Sequence, residues 1–272
     1  MATWTSPDNK IQKHILCKGK WGDKPSEGSQ CTITITDSPL LENYTNTVIT
    51  IGDNDGDLWR AIDIGLTTMF MQEKAKFIIT LNDSSISLTL ELVNFTLNSF
   101  IYELDALRKY TLALHHKEKG IKFFSEKNNR EAAFRFTKAL KILLSIPIDV
   151  ERPPEIIDQV KLSDINNLKS NLYNNLSSCY FRNQSWTMVI DLCERVFRFD
   201  MDNIKALYKT GVAYENDRNF EKANVAFTKL LQIEPENKAA VEHLAYVKNE
   251  MRKSEIEVNK MVKRMFHAVV ED

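Results

Sequence analysis

Two periodicities divide the chain. As far as about residue 97, apolar positions fall in short runs of period two: Cys31-Thr-Ile-Thr-Ile-Thr36, Thr47-Val-Ile-Thr-Ile51, Ala75-Lys-Phe-Ile-Ile-Thr-Leu81 and Ser85-Ile-Ser-Leu-Thr-Leu-Glu-Leu-Val93. Neighbouring side chains of an extended strand point to opposite faces, so this alternation predicts half-buried β-strands. Turn-forming clusters separate the runs: Gly22-Asp-Lys-Pro25, Asp37-Ser-Pro39, Gly52-Asp-Asn-Asp-Gly56 and Asn82-Asp-Ser84. One segment departs from the series. Asp57-Leu-Trp-Arg-Ala-Ile-Asp-Ile-Gly65 sets Leu58, Ala61 and Ile62 at helical spacing and ends on glycine, which predicts a short helix stopped at its C-cap. The expected product is a small antiparallel sheet wrapped around one helix.

From about residue 98 the period becomes that of an α-helix, about 3.6 residues. Residues 104–144 read as helix with an interruption at Glu126-Lys-Asn-Asn129, and the proline-rich stretch 146–154 reads as a loop. Helices and short polar turns then alternate to the end. This region repeats itself. Aligning Gly120, Ser177 and Gly211 as the small residue of a first helix brings Phe123, Tyr180 and Tyr214 into register. On the second helix Ala132, Val189 and Ala223 then coincide, as do Phe136, Cys193 and Phe227, and Pro235 closes the last unit. Small residues where helices cross, with aromatics in the adjacent gaps, are what a tightly packed helical hairpin requires. The second and third units lie 34 residues apart, and the first lies 57 before the second because it carries the proline loop as an insertion. The expected fold class is therefore α+β with two domains. Residues 1–97 form the sheet domain and 98–272 an all-α solenoid, with repeats at about 113–146, 170–203 and 204–237 and a capping helix at about 237–268.

Composition narrows the function. An apolar fraction of 43% and a charged fraction of 27% are those of a folded globular chain, and a net charge of -1 gives no overall pull toward nucleic acid or an anionic membrane. The first fifteen residues have no apolar signal segment and no run is long enough to span a bilayer, so cytoplasm or nucleus is the expected compartment. The four cysteines, Cys17, Cys31, Cys179 and Cys193, form no CxxC pair, and buried free thiols are expected. His115 and His116 are adjacent and leave a helix on different faces, which does not suit a shared metal. No phosphate-binding glycine loop is present. Neither a metal nor a cofactor is expected. Residues 252–266 form a basic amphipathic stretch that could attract an acidic partner, but the plainer reading is the solvated face of the capping helix.

The helical units resemble tetratricopeptide repeats through Leu-His-His-Lys-Glu-Lys-Gly120, Asn-Leu-Ser-Ser-Cys-Tyr180 and Lys-Ala-Leu-Tyr-Lys-Thr-Gly211. With Glu91-Leu-Val-Asn-Phe95 as a last strand and Leu58-Trp-Arg-Ala-Ile-Asp-Ile-Gly-Leu-Thr-Thr-Met69 as helix and exit turn, the whole chain resembles the large FKBP-type immunophilins, most of all their divergent FKBP-like subgroup.

That resemblance implies a carboxylate clamp for the Met-Glu-Glu-Val-Asp tail of heat shock protein 90. Its pattern is Lys-x-x-x-Asn, then Asn, then Lys-x-x-x-Arg on successive first helices. Here the positions hold Lys117 and Ile121, then Asn175, then Lys205 and Lys209. A peptide ending in Asp presents two carboxylates, which cationic and amide donors on a rigid face can bind. The expected site is Lys117, Asn175, Lys205 and Lys209. Ile121 has no donor, and Lys209 carries charge without arginine's planar fork.

In the sheet domain the resemblance implies a prolyl isomerase pocket whose residues are mostly replaced. Ile62 stands where the family has its floor tryptophan, Leu88 stands for the last-strand phenylalanine, and Thr80-Leu-Asn-Asp-Ser-Ser85 is too short for the tyrosine flap. No catalytic residue is expected. The sequence reads as a non-catalytic co-chaperone adaptor with an unidentified client, the alternatives being a weak isomerase or a scaffold for another acidic peptide.

Overall fold

A computed structural model describes residues 3–38, 41, 44–81, 84–97, 99–149 and 151–270, with side chains as far as Lys263. The chain divides into two compact units, Met1–Leu104 and Asp105–Asp272.

The first unit is an antiparallel sheet of six strands: β1 (Thr3–Thr5), β2 (Ile11–Cys17), β3 (Gln30–Thr36), β4 (Tyr44–Thr50), β5 (Glu73–Leu81) and β6 (Ser84–Thr96). Their order across the sheet is β1-β2-β5-β6-β3-β4, with α1 (Asp57–Leu66) between β4 and β5 in the chain. The inward residues of the alternating runs, among them Cys31, Ile33, Ile35, Ala75, Phe77, Ile79, Leu88, Leu90 and Leu92, are buried against Ile62, Leu66 and Met69. Sequence periodicity missed β1 and β2. The inward position at the centre of β2 is Lys13, which breaks the apolar alternation. Its ammonium donates to Glu73 Oε1 at 2.9 Å and to the Thr68 carbonyl at 3.0 Å, and both side chains of the pair are almost fully buried. A buried cation survives only with such partners.

The glycine expected to cap α1 plays another part. Gly65 lies within the helix, which ends one residue later at a right-handed cap on Thr67. A Cβ on Gly65 would stand 2.7 Å from Cε1 of Phe77, so the missing side chain lets the helix lie directly on β5. The β5–β6 hairpin pairs Leu81 with Ser84, and the two residues between lie outside the described ones.

The second unit stacks three helical hairpins. They are α2 (Ala106–Ser125) with α3 (Asn129–Leu144), α4 (Leu162–Arg182) with α5 (Trp186–Phe197), and α6 (Ile204–Asn216) with α7 (Phe220–Ile233). α8 (Lys238–Val270) follows. Every hairpin turns the same way. Lys127, Gln184 and Arg218 each take a left-handed φ, of 63°, 56° and 57°, at matching repeat positions. Asn128 and Asn219 then each accept a hydrogen bond from the backbone N–H three residues on, capping α3 and α7. The insertion after α3 contains the proline loop and a short hairpin, β7 (Ile156–Ile157) with β8 (Val160–Lys161). Asp158, at its tip, accepts from the Ala106 N–H at 2.9 Å and so caps α2.

The small residues sit at the crossings. A Cβ on Gly120 would lie 2.5 Å from Cε1 of Phe136, and one on Gly211 would lie 2.6 Å from Cε1 of Phe227. The capping helix covers the array with its first half only. Ala240 and Val247 are buried with Phe227 and Leu230, whereas Ile256, Val258 and Met261 are exposed. Among the described residues no helix is long and apolar enough to cross a membrane. The four thiols are free. Cys31, Cys179 and Cys193 are buried, but Cys17 lies exposed at the end of β2, beyond its bulge, contrary to the expectation of burial.

Two outcomes follow from this packing. Gly211→Ala should lower the unfolding free energy by about 1–3 kcal/mol, because the ring of Phe227 has no room to retreat; a urea titration that leaves the midpoint unchanged would contradict it. In the native protein, alkylation should modify one thiol, Cys17, and reach the other three only in denaturant, which mass spectrometry of the intact chain resolves.

Candidate peptide groove

The first helices α2, α4 and α6 pack side by side, and each second helix packs behind its own first helix and against the next. Lys117 on α2, Asn175 on α4 and Lys205 on α6 therefore lie on successive members of one row. Lys117 and Asn175 are half-buried and Lys205 is exposed. Among the described residues none of the three makes a side-chain hydrogen bond or ion pair. Two cations and an amide with unspent donors thus stand on one row of helices. Ile121, one turn beyond Lys117, is 47% exposed, an apolar side chain open to solvent.

Lys209 lies elsewhere than expected. The sequence placed it as a second exposed cation one turn from Lys205, but its side chain is turned inward and only 6% of the residue is exposed. Its ammonium donates to the Asn174 carbonyl at 2.7 Å, Asn174 Oδ1 at 2.6 Å, Ser177 Oγ at 2.5 Å and Ser178 Oγ at 3.0 Å. The physical reason lies in the second unit's crossing. The first and third units set a phenylalanine ring against glycine, but here the pair is Ser177 and Cys193. A side chain at 177 excludes a ring at 193. The smaller, more polar junction admits the ammonium instead.

Burial lowers the Lys209 pKa to about 8, the strongest influence, with the neighbouring Lys205 charge acting the same way. The two thiols nearby respond in the opposite sense. Burial raises Cys179 to about 11 and also raises Cys193. A second lysine on the array, Lys169 of α4, is also buried and has its pKa lowered by desolvation.

Sequence reasoning missed Asn174, Ser177 and Ser178 as partners of Lys209. Their spacing of three and four residues puts them on one face of α4, which was legible, but the side chain meeting that face comes from 35 residues further on. His116 is buried, with Nδ1 3.1 Å from Nη1 of the fully buried Arg135.

The residues of the immunophilin-type pocket are also placed. Ile62 and Leu88 are fully buried in the sheet core, and Leu88 sits opposite Phe77 in the β5–β6 register. Trp59 is half-buried and meets Tyr44 edge-on, with ring centroids 5.5 Å apart.

Comparison with known proteins agrees with this architecture. The chain is 31% identical over 269 residues to FK506-binding protein-like of Mus musculus, an alignment covering 97% of this chain and 73% of that protein. It is 27% identical over 199 residues to the peptidyl-prolyl cis-trans isomerase FKBP4 of Homo sapiens, covering 73% of this chain and 41% of that protein. Among solved structures, the C-terminal TPR-containing domain of a Plasmodium falciparum FK506-binding protein superposes with a TM-score of 0.51 at 28% identity. That match covers 57% of this chain and 99% of the domain. No family model matches. The sheet domain with its helix α1, the three hairpins that follow it in the chain and these relatives together place the chain among the FKBP-like proteins, FKBP-type immunophilins with C-terminal tetratricopeptide repeats.

Proposed function

We propose that this protein is a non-catalytic co-chaperone adaptor of the cytoplasm or nucleus. Its helical array binds the acidic C-terminal tail of heat shock protein 90, and its sheet domain contacts a client. One observation carries the reading: Lys117, Asn175 and Lys205 lie on three consecutive first helices with their side-chain donors unspent. A tail ending in Asp brings two carboxylates, and charge-assisted bonds from donors on a rigid face hold an extended peptide without an apolar pocket. Lys209 adds positive charge beneath the same face. Ile121 removes one amide donor from the family's pattern, so the grip is weaker than a full set would give.

Against catalysis in the sheet domain stands the loss of aromatic residues. Isomerisation on this scaffold needs an aromatic-lined apolar pocket that favours the twisted amide. Ile62 and Leu88, at two of its positions, are aliphatic and spent in the core. The alternative is a weak prolyl isomerase, favoured by the 27% identity to FKBP4, which bears that activity in its name.

Calorimetry with a Met-Glu-Glu-Val-Asp peptide tests the adaptor reading. Binding should be measurable, and Lys117→Ala or Lys205→Ala should each weaken it about tenfold or more, the loss of one charge-assisted bond of roughly 1.5–3 kcal/mol. Amidation of the peptide C-terminus should weaken it comparably. Binding that ignores all three changes would sink the clamp. A protease-coupled prolyl-peptide assay should give no rate above the uncatalysed one; a rate proportional to protein concentration would instead establish the isomerase.

A further inference from the structure

We propose that Lys209 is a positioning residue, whose ammonium ties α6 to α4 and so sets the spacing between the peptide-binding residues Lys205 and Asn175. The inference rests on the peptide-groove reading above.

The hydrogen-bond pattern around Lys209 is closed. Ser177 Oγ donates to the Asn174 carbonyl at 2.7 Å, and Ser178 Oγ donates to the same carbonyl at 2.9 Å. With their protons committed, both hydroxyls present only lone pairs, and both lone pairs meet the ammonium. Asn174 contributes two more acceptors, its carbonyl and its side-chain oxygen. An ammonium has three N–H donors, so four acceptors saturate it. Reaching a peptide carboxylate would mean leaving all four, and a buried polar group without a partner is costly.

The socket also has the right neighbours. Asn174 precedes Asn175, and fixing its backbone and side chain together fixes where Asn175 leaves α4. Lys209 and Lys205 are one turn apart on α6, so the same anchor fixes where Lys205 leaves that helix. A carboxylate held between an amide on one helix and an ammonium on the next depends on their separation to a fraction of an ångström. In a solenoid each repeat touches only its neighbours, so the spacing is set locally.

Protonation gives a second handle. The titratable groups facing Lys209 are Cys179 on α4, Cys193 on α5 and Lys205 on α6. Between pH 7 and pH 9 burial favours the neutral form of both thiols, with Cys179 raised to about 11 and Cys193 raised above its ordinary value. Lys209 itself, lowered to about 8, loses its charge in that range. A neutral amine has two donors and releases part of the socket. Linkage gives global stability the opposite sign. The folded protein releases this proton near 8 and the unfolded chain near the ordinary 10.5, so the Lys209 contribution to stability rises with pH between those values. A loss of affinity above pH 8 cannot then be a loss of fold from this group.

The test is peptide calorimetry on the full chain, using the same Met-Glu-Glu-Val-Asp peptide, with circular dichroism to verify folding. Wild-type affinity should fall about threefold to tenfold from pH 7 to pH 9. The fall should vanish in Lys209→Met, whose affinity is already low at pH 7. Ser177→Ala with Ser178→Ala keeps Lys209 but empties the socket, and should weaken binding by a similar factor. Should the double variant fail to fold, Ser178→Ala alone, on a half-buried helix surface, should weaken it about twofold to threefold. If either socket variant binds as tightly as wild type or more tightly while Lys209→Met binds weakly, Lys209 grips the peptide directly and the proposal is overturned. If Lys205→Ala changes nothing either, the groove reading has failed, a distinct outcome.

Discussion

An aromatic ring lying against a residue without a side chain is the contact on which the helical array depends. At Gly120 and Phe136, and again at Gly211 and Phe227, even a Cβ would press to about 2.5 Å of the ring edge. First and second helices therefore approach as closely as backbone permits, and the residues around the crossing are sealed from water. Ala132, Ala223, Phe136 and Phe227 are essentially inaccessible. Dispersion and burial are densest where atoms meet without voids, so this crossing sets the geometry of each hairpin. Later features of the array, the left-handed turn residues and their capping asparagines, follow from bringing two helices back to that distance.

The second unit keeps the crossing and changes its chemistry. Serine faces cysteine there, and the junction takes in an ammonium from the third unit. A contact that is purely apolar in the outer units thus becomes, in the middle one, a polar link between neighbouring repeats. It is saturated with acceptors, which is the condition for holding a charge in the interior. The link falls between the two helices that carry Asn175 and Lys205. The insertion in the first unit is absorbed differently: its hairpin folds back so that Asp158 caps α2, and the Lys109 ammonium donates to the Ser145 carbonyl.

The sheet domain solves its packing by the same device in another setting. Gly65 lets α1 sit on the ring of Phe77, as the repeat glycines let helices sit on theirs. One buried ion pair, Lys13 with Glu73, joins β2 to β5 and gathers the exit turn of α1 through the Thr68 carbonyl and the Phe70 N–H. Ile62 and Leu88 belong to that core. An immunophilin scaffold persists here as a frame of apolar packing.

Much of this was legible in the sequence because it is local or periodic. Alternation located β3 to β6, the repeat register located the hairpins and the residues of each crossing, and the proline pair marked the insertion. Lys117, Asn175 and Lys205 fall on successive first helices, as their repeat positions indicate. What sequence could not supply depends on which side chains meet across long separations. β2 was hidden because its inward residue is a lysine, sensible only beside Glu73, sixty residues away. Gly65 looked like a helix stop because nothing in its own segment announces Phe77. Lys209 looked like a surface cation because helical spacing gives a direction around one helix and says nothing of what occupies that direction. Only the packed junction of α4, α5 and α6, with Cys193 in a place where its repeat equivalents carry a ring, shows that the direction leads inward.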